Sequence, residues 1–219
     1  MRIYTLITSQ MQTNTYVAVN GGRAFVVDPG GNAEMIYALA EEQNTVIEAV
    51  LLTHAHFDHI GAVAALQELS QARGNGNVTV FLHSEDRDKI SSYKNMGFAV
   101  GAKVEPFIPD VLLKGGESLT VAGVMLKVLH TPGHTRGGVC YVAEDTVFCG
   151  DTLFAGGYGR TDFYDGSFAE IKNSIVNKLF NLHGDYTVLS GHGAKTSLET
   201  ERAHNPVLYE KGSDFVMTE

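Results

Sequence analysis

Four side chains able to hold a metal ion, His54, His56, Asp58 and His59, fall within six residues of Thr53-His54-Ala55-His56-Phe57-Asp58-His59-Ile60-Gly61. The segment leaves the apolar run Val-Leu-Leu-Thr and opens a helical pattern. His54 and His56 are two apart, so both imidazoles can face one way from a loop leaving a strand. Asp58 and His59 then sit at the helix start, where the chain turns back toward them. Four ligands this dense crowd a single ion, and the spacing favours two neighbouring ions. A surface turn or a simple helix cap with stray histidines is the bland alternative. Three of the nine histidines standing beside one aspartate argue against it.

Periodicity around this segment sets the fold class. IYTLIT, TYVAVN and AFVVD read as short strands, with a turn at Asn20-Gly21-Gly22. A helix is expected from about Asn32, with Met35, Ile36, Leu39 and Ala40 on one face. IEAVLLT and VTVFLH are strands, and a helix is expected between them over Ile60–Arg73. The second half repeats the scheme with SLTVAG, VMLKVLHT, GVCYVA, TVFCGDT and YTVLSGH. Helices are expected over Phe168–Leu182 and Leu198–His204. Two strand-rich halves, each closed by helices, predict an α/β chain folded as a four-layer αββα sandwich. No Pro/Ser linker divides it, so residues 1–219 read as a single domain.

Three further positions share the placement of the first motif, an apolar strand end beside glycine. They are His134 in Thr-Pro-Gly-His-Thr, Asp151 in Cys-Gly-Asp-Thr and His192 in Ser-Gly-His-Gly. Strand-end loops gather at one sheet edge, where a site can stand on rigid elements. His83, His130, His183 and His204 lie outside this constellation, with His83 expected nearest the cleft.

Composition narrows the function classes. Apolar residues make up 44% of the chain, enough for a core. The net charge of -9 gives no footprint for a phosphate backbone, which argues against nucleic acid as a partner. The start MRIYTLITSQMQTN has neither a long apolar run nor a small-residue cleavage site. A cytoplasmic protein without a membrane span, acting on a small molecule, is expected. Cys140 and Cys149 would face each other across a hairpin at Glu144-Asp145, and the reduced state is expected for both.

HAHFDH followed by His134, Asp151 and His192 resembles the metallo-β-lactamase superfamily. The closer likeness is to glyoxalase II-like hydroxyacylglutathione hydrolases. GRTDF at Gly159–Phe163 and SGHG at Ser190–Gly193 resemble the short bacterial proteins of that type. The resemblance implies a first metal on His54, His56 and His134, a second on Asp58, His59 and His192, and Asp151 shared by both. Zinc is the expected ion; iron and manganese suit the same ligands. It further implies hydrolysis of a thioester, such as S-lactoylglutathione, by metal-activated hydroxide, with Asp58 orienting the attacking oxygen. Full-length glyoxalase II enzymes carry a C-terminal helical domain for glutathione. The 27 residues after His192 are too few for it, so glutathione binding is not carried over. Tyr158, Arg160 and Lys195 are the candidate substrate residues, with an Arg160–Asp162 ion pair the stronger expectation for Arg160. Persulfide dioxygenases share the motif set with a single iron, on His54 or His56 with His134 and Asp151. A lactonase and a non-catalytic metal-binding module are the remaining alternatives.

Overall fold

The computed structural model describes residues 1–210. The first half runs β1 (Arg2–Thr8), β2 (Thr13–Asn20), β3 (Arg23–Val27), α1 (Ala33–Glu42), β4 (Val46–Leu51), α2 (Phe57–Ile60), α3 (Val63–Ala72), β5 (Thr79–His83) and β6 (Val111–Leu113). The second runs β7 (Ser118–Val121), β8 (Val124–His130), β9 (Val139–Ala143), β10 (Thr146–Gly150), β11 (Leu153–Phe154), β12 (Gly157–Tyr158), α4 (Phe168–Ser174), β13 (Thr187–Ser190), β14 (Thr196–Ser197) and α5 (Leu198–His204).

Strands β1 to β6 form one six-stranded sheet in sequence order. The other is ordered β14-β13-β10-β9-β8-β7. Both are mixed: β3 to β6 pair in parallel, as do β10 and β13, while the other neighbours are antiparallel. Parallel pairs need crossovers, and α1 and α3 supply them in the first half.

Alternation within single strands shows why four layers result. Along β3, Ala24 and Val26 pack outward on α1 and α3, beside Ile36 and Leu66. Phe25 and Val27 point the other way, into the space between the sheets. β10 does the same: Phe148 faces between the sheets, and Val147 and Cys149 face Ile171, Ile175 and Leu179. A strand buried on both faces needs cover on both, and the helices provide the outer cover. Phe148 stands edge-on to Tyr16 and Phe25 across the central layer. Cys140 and Cys149 are free and buried. None of the described helices is long and apolar enough to cross a membrane.

Two helices differ from the periodic expectation. The Ile60–Arg73 helix is broken at Gly61-Ala62 into α2 and α3. There the Ala62 N–H donates to Pro29 O at 2.9 Å, which docks the break on the loop after β3. The expected Phe168–Leu182 helix becomes α4 followed by a π-turn at Ile175–Leu179. Its wider turn keeps Ile171, Ile175 and Leu179 on one buried face.

His83, at the end of β5, stacks on His130, at the end of β8, with ring centroids 4.2 Å apart. It is not among the cleft-lining side chains. Burial and then His130 push the His83 imidazole below its ordinary pKa, and Asp86 and Glu85 offset this in part. A histidine depressed on folding binds fewer protons folded than unfolded. Its contribution is complete above the unfolded value, about 6.5, and is lost as pH falls through the folded one. The metal-free protein should therefore melt lower at pH 5.5 than at pH 7.5. Melting curves of His83→Phe, which keeps a ring on His130, should show a smaller loss.

Candidate metal centre

Four strand-end loops deliver the side chains, and both sheets contribute. His54, His56, Asp58 and His59 follow β4; His134 follows β8; Asp151 follows β10; His192 follows β13. The Gly133 φ of 138° and a Cβ position 2.2 Å from Ile171 N admit only glycine before His134.

The structure brings together all seven residues expected from the sequence. His54 Nε2 lies 3.1 Å from His56 Nδ1, and His134 Nε2 lies 2.9 Å from the same atom. Beside this trio, His192 Nε2 is 3.3 Å and His59 Nε2 3.6 Å from Asp58 Oδ2. Asp151 joins the two groups. Its Oδ1 is 3.4 Å from His59 Nε2, and its Oδ2 is 3.5 Å from His134 Nε2 and 3.6 Å from His192 Nε2.

The outer hydrogen bonds decide which nitrogens carry lone pairs inward. Asp28 accepts from Thr53 N at 2.8 Å, Thr53 Oγ1 at 2.6 Å and His59 Nδ1 at 2.9 Å. Because the Thr53 hydroxyl donates to Asp28, it is an acceptor for His54 Nδ1, 3.1 Å away. His134 Nδ1 donates to Arg160 O at 2.8 Å. With Nδ1 of His54, His59 and His134 engaged by these outer partners, Nε2 is the nitrogen that each ring turns inward. Asp28 lies within ligand range of His54 and His59, but its oxygens are committed to this support.

Electrostatics point the same way. Burial and the surrounding imidazoles hold His54 and His56 well below the ordinary histidine pKa, so both are neutral. Burial alone would lower His59 too, yet Asp151, Asp58 and Asp28 together raise it to about 10. Burial pushes Asp58 up, but His59 and hydrogen bonds from His192 and Thr13 outweigh it and hold the carboxyl below its usual range. Several carboxylates meeting in a buried pocket create a demand for positive charge.

These residues fit divalent cations. His59 Nε2 and Asp151 Oδ1 are buried without a hydrogen-bond partner, an arrangement that costs free energy unless something else binds them. Gly191 leaves the space between them: a Cβ there would stand 2.2 Å from Asp151 Oδ1 and 2.7 Å from His59 Cε1.

A further layer braces the loops. The buried Asp86 accepts from Ala55 N at 3.0 Å, Thr135 Oγ1 at 2.9 Å and Gly137 N at 2.9 Å. It thereby ties the His54–His56 loop to the His134 loop. Lys89 Nζ lies 3.6 Å from Asp86 and hydrogen-bonds Asp165 and the Tyr164 hydroxyl. From β2, Thr13 Oγ1 donates to Asp58 Oδ2 at 2.9 Å. Asn14 bonds Gly191 O through its N–H, and Ser190 O and Gly193 O through Nδ2. Asp28, Thr13, Asp86 and Lys89 were not singled out by the sequence. Asp28 alone carries a local signal, a strand-end acid before Pro29-Gly30.

The site opens into a cleft of about 300 Å³. Met11, Phe57, Met96, Phe154 and Phe163 give it apolar walls, and Arg160 lines it too. Arg160 pairs bidentately with Asp162 at 2.8 and 2.7 Å and lies over the Phe163 ring. Tyr158 and Lys195 are not among the cleft-lining side chains. The Tyr158 hydroxyl donates to Glu210 and its ring packs on Phe168; Lys195 is exposed on the loop after His192.

The family model described as the metallo-beta-lactamase superfamily matches residues 8–192, a span that holds every residue of the centre. The chain belongs to that superfamily. Among its relatives, the probable metallo-hydrolase YqgX of Bacillus subtilis is 37% identical, covering 90% of this chain and 93% of its own. The hydroxyacylglutathione hydrolase GloC of Haemophilus influenzae is 32% identical, covering 94% and 96%. Of the solved structures, the BLEG-1 B3 metallo-beta-lactamase superposes with a TM-score of 0.86 at 35% identity, covering 95% of this chain and 100% of its own. TTHA1623 in a di-iron-bound form gives 0.82 at 32% identity, covering 93% and 98%. The superfamily's αββα sandwich is the architecture described above.

Proposed function

We propose that this chain is a dinuclear metallohydrolase that cleaves a thioester. The observation carrying this reading is the convergence of inward lone pairs and shared carboxylate oxygens on two adjoining points. His54, His56 and His134 would hold one divalent ion, Asp58, His59 and His192 the other, and Asp151 both. Zinc is the expected metal, and the di-iron form of TTHA1623 supports iron as the alternative. When bound, such ions supply a water acidified to a pKa of about 7 and polarise a carbonyl oxygen. GloC, a hydroxyacylglutathione hydrolase by name, supports a thioester as the substrate.

The chain's own groups do the rest. Asp58 stays ionised, is steered through one oxygen by Thr13, and orients the attacking water with the other. Phe57, Phe154 and Phe163 keep bulk water from the reacting carbon. A thiolate leaves without needing a strong general acid. Neither cysteine serves as a nucleophile: burial raises the Cys140 thiol to about 11 and Cys149 well above its ordinary value.

Metal analysis of protein purified without added ions, joined to thioester and oxygen-uptake assays, tests the reading. Two ions per chain and thioester hydrolysis are expected. One iron per chain with oxygen uptake on a persulfide overturns it in favour of an oxygenase. His192→Ala should lose one ion, keep the other and lose most hydrolysis; unchanged activity contradicts a dinuclear centre.

A further inference from the structure

The cleft's walls say more about the substrate than its ligands do. Five large apolar side chains from five separate segments converge on it: Met11 from the β1–β2 turn, Phe57 from α2, Met96 from the loop before β6, Phe154 from β11 and Phe163 from the loop after β12. Met96 holds a φ of 67°, a conformation that L-residues with side chains adopt at a cost. Met11 is about half exposed, an apolar group left at the cleft mouth. Against this wall stands one lysine or arginine side chain among the described residues that line the cleft, Arg160. Its guanidinium gives one edge, Nε and Nη2, to Asp162 and lies 4.4 Å over Phe163. Glutathione carries two carboxylates at its far ends, remote from the reacting carbonyl. One guanidinium already paired cannot answer both.

We propose that the substrate is an apolar short- to medium-chain acyl thioester of an uncharged thiol, its acyl group lying on the wall formed by Met11, Phe57, Met96, Phe154 and Phe163. The inference rests on the thioesterase reading but concerns recognition, so binding can be measured apart from turnover. Each methylene that leaves water for such a wall contributes about threefold to fourfold in affinity until the wall is covered.

Non-hydrolysable thioethers provide the test. S-alkyl-N-acetylcysteamines from methyl to hexyl are titrated calorimetrically into the metal-loaded and the metal-free protein, beside the matching S-alkylglutathiones. Affinity is expected to rise about threefold per methylene in both forms, with no advantage for the glutathione series. Met11→Gln combined with Met96→Gln, which touches no histidine of the centre, should flatten the rise. Affinity independent of chain length, or glutathione thioethers binding more than about tenfold tighter, overturns the inference. Matching acyl thioesters are then assayed for hydrolysis. Failure to hydrolyse any of them overturns the thioesterase reading and leaves the binding result standing by itself.

Discussion

Asp151→Ala is expected to abolish hydrolysis, by on the order of 10³-fold or more, and to strip the protein of both ions together. The expectation follows from one carboxylate reaching across two groups. Oδ1 faces His59, while Oδ2 faces His134 and His192. Removal of an end ligand such as His192 leaves one trio whole. Removal of Asp151 leaves neither trio a carboxylate from the second sheet. The metal-free variant should also melt lower than the metal-free parent near pH 7, because Asp151 is the first of three carboxylates that hold the buried His59 in its charged form. Metal content by mass spectrometry and melting by circular dichroism check the two halves. A variant that keeps two ions and parental turnover would show that Asp151 is not shared.

Asp86→Ala is expected to damage the same centre from behind and to cost far more stability. Asp86 is fully buried and holds two backbone N–H groups, a threonine hydroxyl and the Lys89 ammonium. Burial raises its carboxyl, and Lys89 and the hydrogen-bond donors pull against that. Taking away one member of a buried charged network costs about 3–5 kcal/mol, because the remaining charge and donors stay buried. At roughly 2–4 °C per kcal/mol for a chain of this size, the melting temperature should fall by about 10 °C. The His54–His56 loop and the His134 loop lose their common brace, so the ion on that trio should bind about 10–100-fold more weakly. Competition with a chromophoric chelator measures it. Asp86→Asn, which keeps an acceptor for part of the network, should fall between. Equal metal affinity in Asp86→Ala and the parent would reduce Asp86 to a purely structural role.

The centre was legible in the sequence because its ligands share one local signature, a polar donor at an apolar strand end beside glycine. That signature follows from chain geometry and survives without tertiary information. Its support was not legible. Asp86 reaches Ala55 from 31 positions away and Thr13 reaches Asp58 across 45. No spacing rule links such pairs, and their partners are mostly backbone groups that any residue offers. Among the weak substrate candidates, Arg160 reached the cleft while Tyr158 and Lys195 did not, since neighbourhood along a loop does not fix the direction of a side chain. The layers were legible from alternation, because residues such as Phe25 and Val26 are apolar on both faces of one strand. The break between α2 and α3 was not, as it depends on a carbonyl at Pro29.

The contacts of Thr13 and Asn14 have a consequence for the order in which the protein is made. Asn14 leaves the ribosome early, yet it bonds the backbone on either side of His192, 176 and more positions later. Loop closure over such separations is slow, and its reward arrives only when both ends exist. On a growing chain, the trio of His54, His56 and His134 has all its members well before His192 emerges. The trio containing His192 becomes available with the last strands, when β13 docks beside β10 and Asn14 clasps its end. On the proposed two-ion reading, the first ion would be able to bind a nascent chain and the second only a finished one.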